Sequence, residues 1–223
     1  MTQLLISVTS VEEAQIALDH GADIIDLKDP SAGALGALPL PLIQSIVGFV
    51  NAQKPVSATV GDLPMQPDLI LQHVTMLAGT KVDIIKIGFF ETDDYQPCLD
   101  ALQSITQTGA KLIAVLFAEH EYSASLIGAI KKAGFIGVML DTAKKNGLTF
   151  MDYYSEEKRR KFSQQVFNHG LSFGLAGSLK LQHVAIAKKT NPTFMGFRGG
   201  VCAENQRELS LDAEKIKAIR YAL

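Results

Sequence analysis

Short apolar runs recur eight times along this chain, and a longer amphipathic stretch follows each of them. The runs are LLISV (4–8), DIIDLK (23–28), PVSATV (55–60), VDIIKIG (82–88), KLIAVLF (111–117), FIGVML (135–140), LSFGLAG (171–177) and TFMGFRG (193–199). Their length and their content of Ile, Val, Leu and Phe are typical of buried parallel strands. The stretches between them carry apolar residues three and four positions apart, and several end at Gly, as helices do. The pattern predicts strand and helix in alternation.

Eight strand–helix units in 223 residues predict an α/β fold, a TIM (β/α)8 barrel formed as a single domain over 1–223. An open doubly wound sheet is the alternative. It usually has fewer units and a GxGxxG turn after its first strand, which is absent here. The longest irregular stretches, 29–41 and 142–155, follow the second and sixth runs. In a barrel this places them at the end of the strands where active sites form.

Composition narrows the classes of partner. Hydrophobic residues make up 47% and charged residues 20%, with a net charge of −2, which argues against nucleic acid or an anionic membrane as partner. The first residues resemble no secretory signal, and no apolar run approaches the ~20 residues of a membrane helix. Cys98 and Cys202 form no CxxC motif. We expect a reduced cytoplasmic protein with a small-molecule substrate, without a disulfide and compatible with a homo-oligomer.

Charged residues interrupt the apolar runs at positions that share a face. Side chains alternate along a strand, so residues two apart point the same way. Because the apolar set of each run must pack under the helices, the polar set is expected inside the upper barrel. That set comprises Asp26, Lys28, Ser57, Thr59, Lys86 and Asp141. Lys145, four residues beyond Asp141, is expected to bend back over the same opening.

Buried charges of both signs permit two interpretations. A layer of salt bridges could close the barrel, since charges are rarely buried unpaired. Alternatively, the lysines are catalytic. A lysine in an apolar, cation-rich site has a lowered pKa and can attack a carbonyl to form a Schiff base. A second lysine can then act as general acid or base, and an aspartate can carry protons. Because several lysines and two aspartates converge on the functional face, we favour catalysis.

Two glycine-containing turns predict a phosphate site. Gly177 and Ser178 follow the seventh run directly before a predicted helix, and Arg198, Gly199 and Gly200 follow the eighth. Barrels often bind phosphate at these two loops, through backbone N–H groups at a helix N-terminus. The alternative for Arg198 is an ion pair with an aspartate across the barrel top.

Metal ligands are not evident. The five histidines are scattered without metal-ligand spacing, so no metal site is predicted. Glu119 and His120 are the one pair that follows a predicted strand on the active-site face.

A set of short strings gives the chain a family resemblance. DIIDLKDP, VSATVGD, DIIKIG, MLDTAKK, LAGSL and GFRGGVC occur in this order from the second strand to the last loop. In this combination the chain resembles the (5-formylfuran-3-yl)methyl phosphate synthase family. Its members are small TIM-barrel lyases of methanofuran biosynthesis.

The resemblance implies a carbon–oxygen lyase reaction. Two molecules of glyceraldehyde 3-phosphate would condense to 4-(hydroxymethyl)-2-furancarboxaldehyde phosphate with loss of phosphate and water, without a cofactor. The family's Schiff-base lysine falls on Lys28 and its proton-transferring lysine on Lys86. Further active-site positions of the family fall on Asp26, Asp141 and Lys145.

Three other functions fit part of the pattern. Another Schiff-base aldolase acting on a phosphorylated carbonyl compound would need the same lysines. A pyridoxal-phosphate barrel would also need a lysine at a strand end and a phosphate loop. A non-catalytic barrel that senses sugar phosphates would need the phosphate loop alone.

Overall fold

The computed structural model describes residues 1–144 and 146–223 and shows a closed parallel barrel. Its strands pair in chain order, and the last pairs with the first. The strands are β1 (Gln3–Val8), β2 (Ile24–Leu27), β3 (Val56–Thr59), β4 (Ile84–Gly88), β5 (Leu112–Phe117), β6 (Gly137–Asp141), β7 (Ser172–Leu175) and β8 (Phe194–Phe197). The predicted TIM barrel is confirmed, and the open sheet is excluded.

Helices connect the strands on the outside of the barrel. They are α1 (Val11–Asp19), α2 (Leu40–Val50), α3 (Pro67–Ala78), α4 (Gln96–Gln107), α5 (Leu126–Lys132), α6 (Phe150–Tyr153), α7 (Glu156–Asn168), α8 (Val184–Lys188) and α9 (Ala213–Ala222). No helix among the described residues is long and apolar enough to cross a membrane.

The core has two layers, as strand alternation predicts. Leu4, Ile6 and Ile25 belong to the large apolar cluster between the strands and the helices. The smaller cluster fills the barrel interior with the alternate positions. Its strand residues are Leu5, Ile24, Ile113, Val115, Phe117, Met139 and Phe194. Side chains that follow this inner set toward the strand C-termini therefore face the barrel opening.

Two segments differ from the sequence prediction. The stretch 142–155 was expected to be irregular, but it contains the one-turn helix α6. The Thr149 hydroxyl accepts from the Met151 N–H, and the Asp152 carboxylate accepts from the Thr149 N–H, so both caps are satisfied within four residues. The long helix expected after β7 is a 3₁₀ turn, Leu181–His183, followed by the five-residue α8.

Candidate active site

A cavity of about 500 Å³ opens at the C-terminal ends of the strands. It lies toward β1, β2 and β6–β8 because the opposite side of the barrel is filled. There Leu35, from the loop after β2, packs with Phe90 and Phe117 above Gly88. A Cβ atom at Gly88 would lie within 2.8 Å of both Leu35 and Phe90. This apolar wall confines a bound molecule to the polar half of the barrel.

Asp26 is the centre of a buried polar network at the floor of the cavity. Its Oδ1 accepts from the Lys86 Nζ at 2.7 Å and from the Ser57 hydroxyl at 2.6 Å, and its Oδ2 accepts from the Ser7 hydroxyl at 2.8 Å. The side chains of Asp26 and Lys86 are 0% and 2% exposed. The sequence prediction that Asp26, Ser57 and Lys86 converge inside the barrel is confirmed, and Ser7 is an added member.

The Asp26 carboxylate stays ionised although it is buried. Burial alone would raise the pKa of Asp26, but the positive charges of Lys86 and Lys28 and the hydrogen bonds from Lys86 and Ser57 outweigh it, so the pKa lies below its usual value. The site therefore holds a fixed anion beneath the two lysines.

Lys28 and Asp141 line the cavity on either side of this network. Lys28 directly follows β2, and its backbone N–H donates to the Val8 carbonyl, which continues the sheet by one residue. Asp141 ends β6, and its Oδ1 accepts from the Thr142 N–H at 2.7 Å. Thr59 is buried beside them but donates to the Gly36 carbonyl, so it supports the loop after β2. Lys145 lies outside the described residues.

Two carboxylates hold the loops that continue from β2 and β6. Asp62, after β3, accepts from the N–H groups of Ala34 and Leu35 at 2.7 Å each. Glu119, after β5, accepts from Ala143 and Lys144 at 3.0 and 2.9 Å. The loops after β2 and β6, the strands that carry Asp26 and Asp141, are thus each bound by a carboxylate from a neighbouring loop. Sequence reasoning noted Glu119 only for its place and missed Asp62.

The two glycine turns, Gly177–Leu179 and Gly199–Gly200, line the cavity beside β7 and β8. Gly177 and Ser178 have φ of +93° and +54°, a region that favours glycine. A Cβ atom at Gly177 would lie 2.9 Å from Thr142. No acceptor among the described residues takes the N–H groups of Gly177, Ser178 or Leu179. The turns that the sequence assigned to an anion site therefore line the cavity, with N–H groups that belong to tight turns and not to a long helix. That they bind an anion stays a prediction.

Close contact between the turns requires glycine at position 200. A Cβ atom there would lie 2.1 Å from the carbonyl oxygen of Leu179. The backbone of one turn therefore packs directly on the other. Gly200 begins no long helix either, because it lies in a 3₁₀ turn, Gly199–Val201.

Arg198 has partners that the sequence did not predict. The guanidinium forms a buried ion pair with Glu13 of α1. It also donates to the backbone carbonyls of Ser7, Arg207 and Leu209. Glu13 and not a barrel-top aspartate is the partner, so that alternative is wrong. With four hydrogen bonds to protein oxygens, Arg198 has little remaining capacity for a phosphate.

Sequence reasoning missed another cavity residue, Arg207. It follows the 3₁₀ turns after β8, and its side chain reaches the carbonyls of Pro30 and Gly33 in the loop after β2. No motif marks it, because its partners are more than 170 residues away in sequence. Cys202, nearby, is fully buried, and burial raises the pKa of its thiol to about 11, which makes it a poor nucleophile at neutral pH.

Comparison with known proteins points to one enzyme family. A family model described as 4-HFC-P synthase matches residues 4–220. The chain is 32% identical over 229 residues to the (5-formylfuran-3-yl)methyl phosphate synthase of Methanocaldococcus jannaschii, covering 97% of each chain. It is 36% identical over 214 residues to a protein of Methylorubrum extorquens that carries the same name provisionally, covering 96% of this chain and 88% of that one.

Solved structures share the fold at low identity. The 3-hexulose-6-phosphate synthase of Salmonella typhimurium superposes with a TM-score of 0.71 at 15% identity, covering 100% of this chain and 98% of that one. Phosphoribosyl anthranilate isomerase of Thermus thermophilus gives 0.69 at 14% identity, covering 99% and 98%. At this identity the likeness shows the barrel alone.

Proposed function

Because this chain belongs to the 4-HFC-P synthase family, the synthase family of methanofuran biosynthesis, we propose that it condenses two molecules of glyceraldehyde 3-phosphate. The product is 4-(hydroxymethyl)-2-furancarboxaldehyde phosphate, and one phosphate and two waters leave, so the enzyme acts as a carbon–oxygen lyase. The observation that carries the proposal is the arrangement of Lys28 and Lys86 around the buried Asp26 carboxylate, in a cavity bordered by the glycine turns.

The environments of the two lysines give them different roles. The Lys86 side chain is 2% exposed and its Nζ donates to the Asp26 carboxylate at 2.7 Å, so its position is fixed and it is the proposed proton donor. Lys28 also lines the cavity and is the more exposed of the two, at 8% against 1% for Lys86. Lys28 is therefore the nucleophile, and its amine adds to the aldehyde of the first substrate molecule. Loss of water then gives the iminium.

The iminium supplies the electron sink for the condensation. It acidifies the proton on the neighbouring carbon, and removal of that proton lets the phosphate on the third carbon leave, which gives an enol whose terminal carbon is nucleophilic. This carbon attacks the second molecule, isomerised so that its carbonyl lies on the middle carbon. Ring closure, loss of two waters and hydrolysis of the iminium, which consumes the water released when it formed, then give the furan aldehyde and free Lys28. Lys86 is the proposed donor to departing oxygens, and Asp141, which ends β6 at the other side of the cavity, is a proposed proton carrier. The family resemblance assigns Lys145 to the active site as well.

Backbone groups in the glycine turns are proposed to bind a substrate phosphate. The N–H groups of Gly177, Ser178, Gly199 and Gly200 lie where barrels bind phosphate. Ser178 adopts a left-handed conformation that costs a non-glycine residue of order 1–3 kcal/mol and is typical of functional turns. Arg198 acts here as a positioning residue, because it ties β8 to Glu13 of α1.

Product analysis tests the proposal. Incubation with glyceraldehyde 3-phosphate should release one inorganic phosphate for every two aldehydes consumed, and mass spectrometry should detect the furan phosphate. Phosphate release without the furan, or no reaction, would contradict the assignment. A visible absorbance band from an internal aldimine in the purified protein would favour a pyridoxal-phosphate enzyme.

A further inference from the structure

The proposed reaction brings two phosphate groups into one cavity, and the glycine turns account for one of them. A second cation-bearing group must face the same space. Two cations of the cavity already have carboxylate partners: Lys86 pairs with Asp26, and Arg198 pairs with Glu13. Arg207 lines the same cavity and is half-buried in its wall.

The side chain of Arg207 spans the barrel opening. Its backbone begins beside the glycine turns, where a Cβ atom at Gly199 would lie 3.6 Å from the Arg207 Cβ. At the far end its Nη2 donates to the carbonyls of Pro30 and Gly33, the latter at 2.6 Å. The guanidinium is therefore anchored by one nitrogen, over the segment that begins two residues after Lys28.

The rest of this guanidinium remains available for a ligand. No acceptor among the described residues takes a hydrogen bond from Nε or Nη1. Burial lowers the pKa of Arg207, while Asp141, Glu208 and Asp62 oppose the shift. An arginine in such surroundings stays charged, and its weak hydration makes a desolvated phosphate contact favourable. The planar fork matches two phosphate oxygens.

We propose that Arg207 binds the phosphate of one glyceraldehyde 3-phosphate molecule while the glycine turns bind the phosphate of the other. This inference rests on the proposed function for the identity of the ligand. The two phosphates would then lie on different sides of the cavity, with the aldehyde carbons between them near Lys28. Arg207 also links the loop after β2 to the glycine turns, so occupation of one subsite supports the geometry of the other.

Titration with glycerol 3-phosphate tests the inference, because this molecule has a phosphate but no carbonyl and cannot form a Schiff base. Calorimetry on the wild-type protein should find two molecules bound per chain. Arg207→Ala should bind one of them as before and weaken the other by roughly 10- to 150-fold, as loss of a charge-assisted contact implies. Arg207→Lys should retain both sites with an intermediate loss. The matched control is Arg160→Ala, an exposed residue of α7.

Two results would overturn the inference. One is wild-type stoichiometry and affinity in Arg207→Ala, which would make the residue a strap between loops. The other is equal loss of both sites in the Ala and Lys variants, which would assign it to maintaining the cavity. Failure of the proposed function is distinguishable, because wild-type protein would then form no furan phosphate whatever the titration shows. With both correct, Arg207→Ala should still be trapped on Lys28 by borohydride and glyceraldehyde 3-phosphate while its condensation rate falls.

Discussion

Asp26 has three hydrogen-bond partners and no exposed surface, and one of these partners is the ammonium group of Lys86. Replacing one member of a buried ion pair leaves the other charge without compensation, at a typical cost of about 3–5 kcal/mol. Asp26→Asn should lower the free energy of unfolding by this amount in urea denaturation. The double variant Asp26→Asn/Lys86→Met should recover part of the loss. Additive effects of the two substitutions would contradict direct coupling.

The same carboxylate predicts how stability depends on pH. The pKa of Asp26 is lower in the folded chain than the ordinary value of about 3.9. Its contribution to stability is therefore fully present above the ordinary value and is lost as the pH falls through the lowered one. Wild-type protein should lose more stability than Asp26→Asn between pH 5 and pH 2. Parallel curves for the two proteins would show that Asp26 does not contribute.

Sequence could predict some of these residues and not others. Alternation within a strand is local, so the positions of Asp26 and Lys86 in the barrel interior followed from their own runs. The partner of Arg198 is Glu13, 185 residues away, and no local rule selects it from among the acidic residues. The same holds for Arg207, whose partners belong to the loop after β2.

Between the strands, the loops at the barrel opening depend on carboxylates that cap backbone N–H groups. Glu119→Gln removes the charge that holds Ala143 and Lys144, so the loop after Asp141 should become less ordered and kcat should fall about tenfold with little change in the unfolding midpoint. Steady-state kinetics would measure this. Glu121→Gln, two positions away in the same loop and paired with Lys158 at the surface, should behave as wild type. Equal effects of both substitutions would argue against a specific role.

The contact between the two glycine turns predicts how a substitution at Gly200 affects substrate binding. Gly200→Ala would place a Cβ atom 2.1 Å from the Leu179 carbonyl, so the turns must separate, and the KM for glyceraldehyde 3-phosphate should rise at least tenfold. Gly48→Ala in α2 is the control. It has no atom within 4 Å of the added Cβ and should stabilise the helix by about 0.5–1 kcal/mol. An unchanged KM in Gly200→Ala would exclude these turns from substrate binding.

Helix and strand limits were predictable to different degrees. The strands followed from short β-branched runs, which have few other stable conformations. The segment after β7 carried a helical pattern of apolar residues, yet it forms a 3₁₀ turn and a five-residue helix. Leu179, at the start of this segment, packs against Gly200 of the turn after β8, and the sequence of the segment itself does not reveal this contact.

For the whole molecule, the number of strand–helix units was the decisive signal, because eight such units close a barrel. The fold does not determine the reaction, since proteins named 3-hexulose-6-phosphate synthase and phosphoribosyl anthranilate isomerase share it at 14–15% identity. The function therefore depends on the few charged residues at the opening of the barrel.

The hydrogen bonds of the Asp26 carboxylate predict how enzyme activity responds to metal chelators. Both oxygens of Asp26 are engaged by Lys86, Ser57 and Ser7, and activation of the carbonyl is assigned to an iminium. Turnover of glyceraldehyde 3-phosphate should therefore survive prolonged dialysis against EDTA. Loss of activity that a divalent ion restores would show that the carbonyl is activated differently.

The most direct measurement for the whole account is reductive trapping of the covalent intermediate. Sodium borohydride added during turnover of glyceraldehyde 3-phosphate should fix a three-carbon phosphate adduct, and peptide mass mapping should locate it on Lys28. Lys28→Arg, which keeps the positive charge, should lose both the adduct and the activity. An adduct found only on Lys86, or no adduct in a protein that still makes the furan phosphate, would contradict the mechanism.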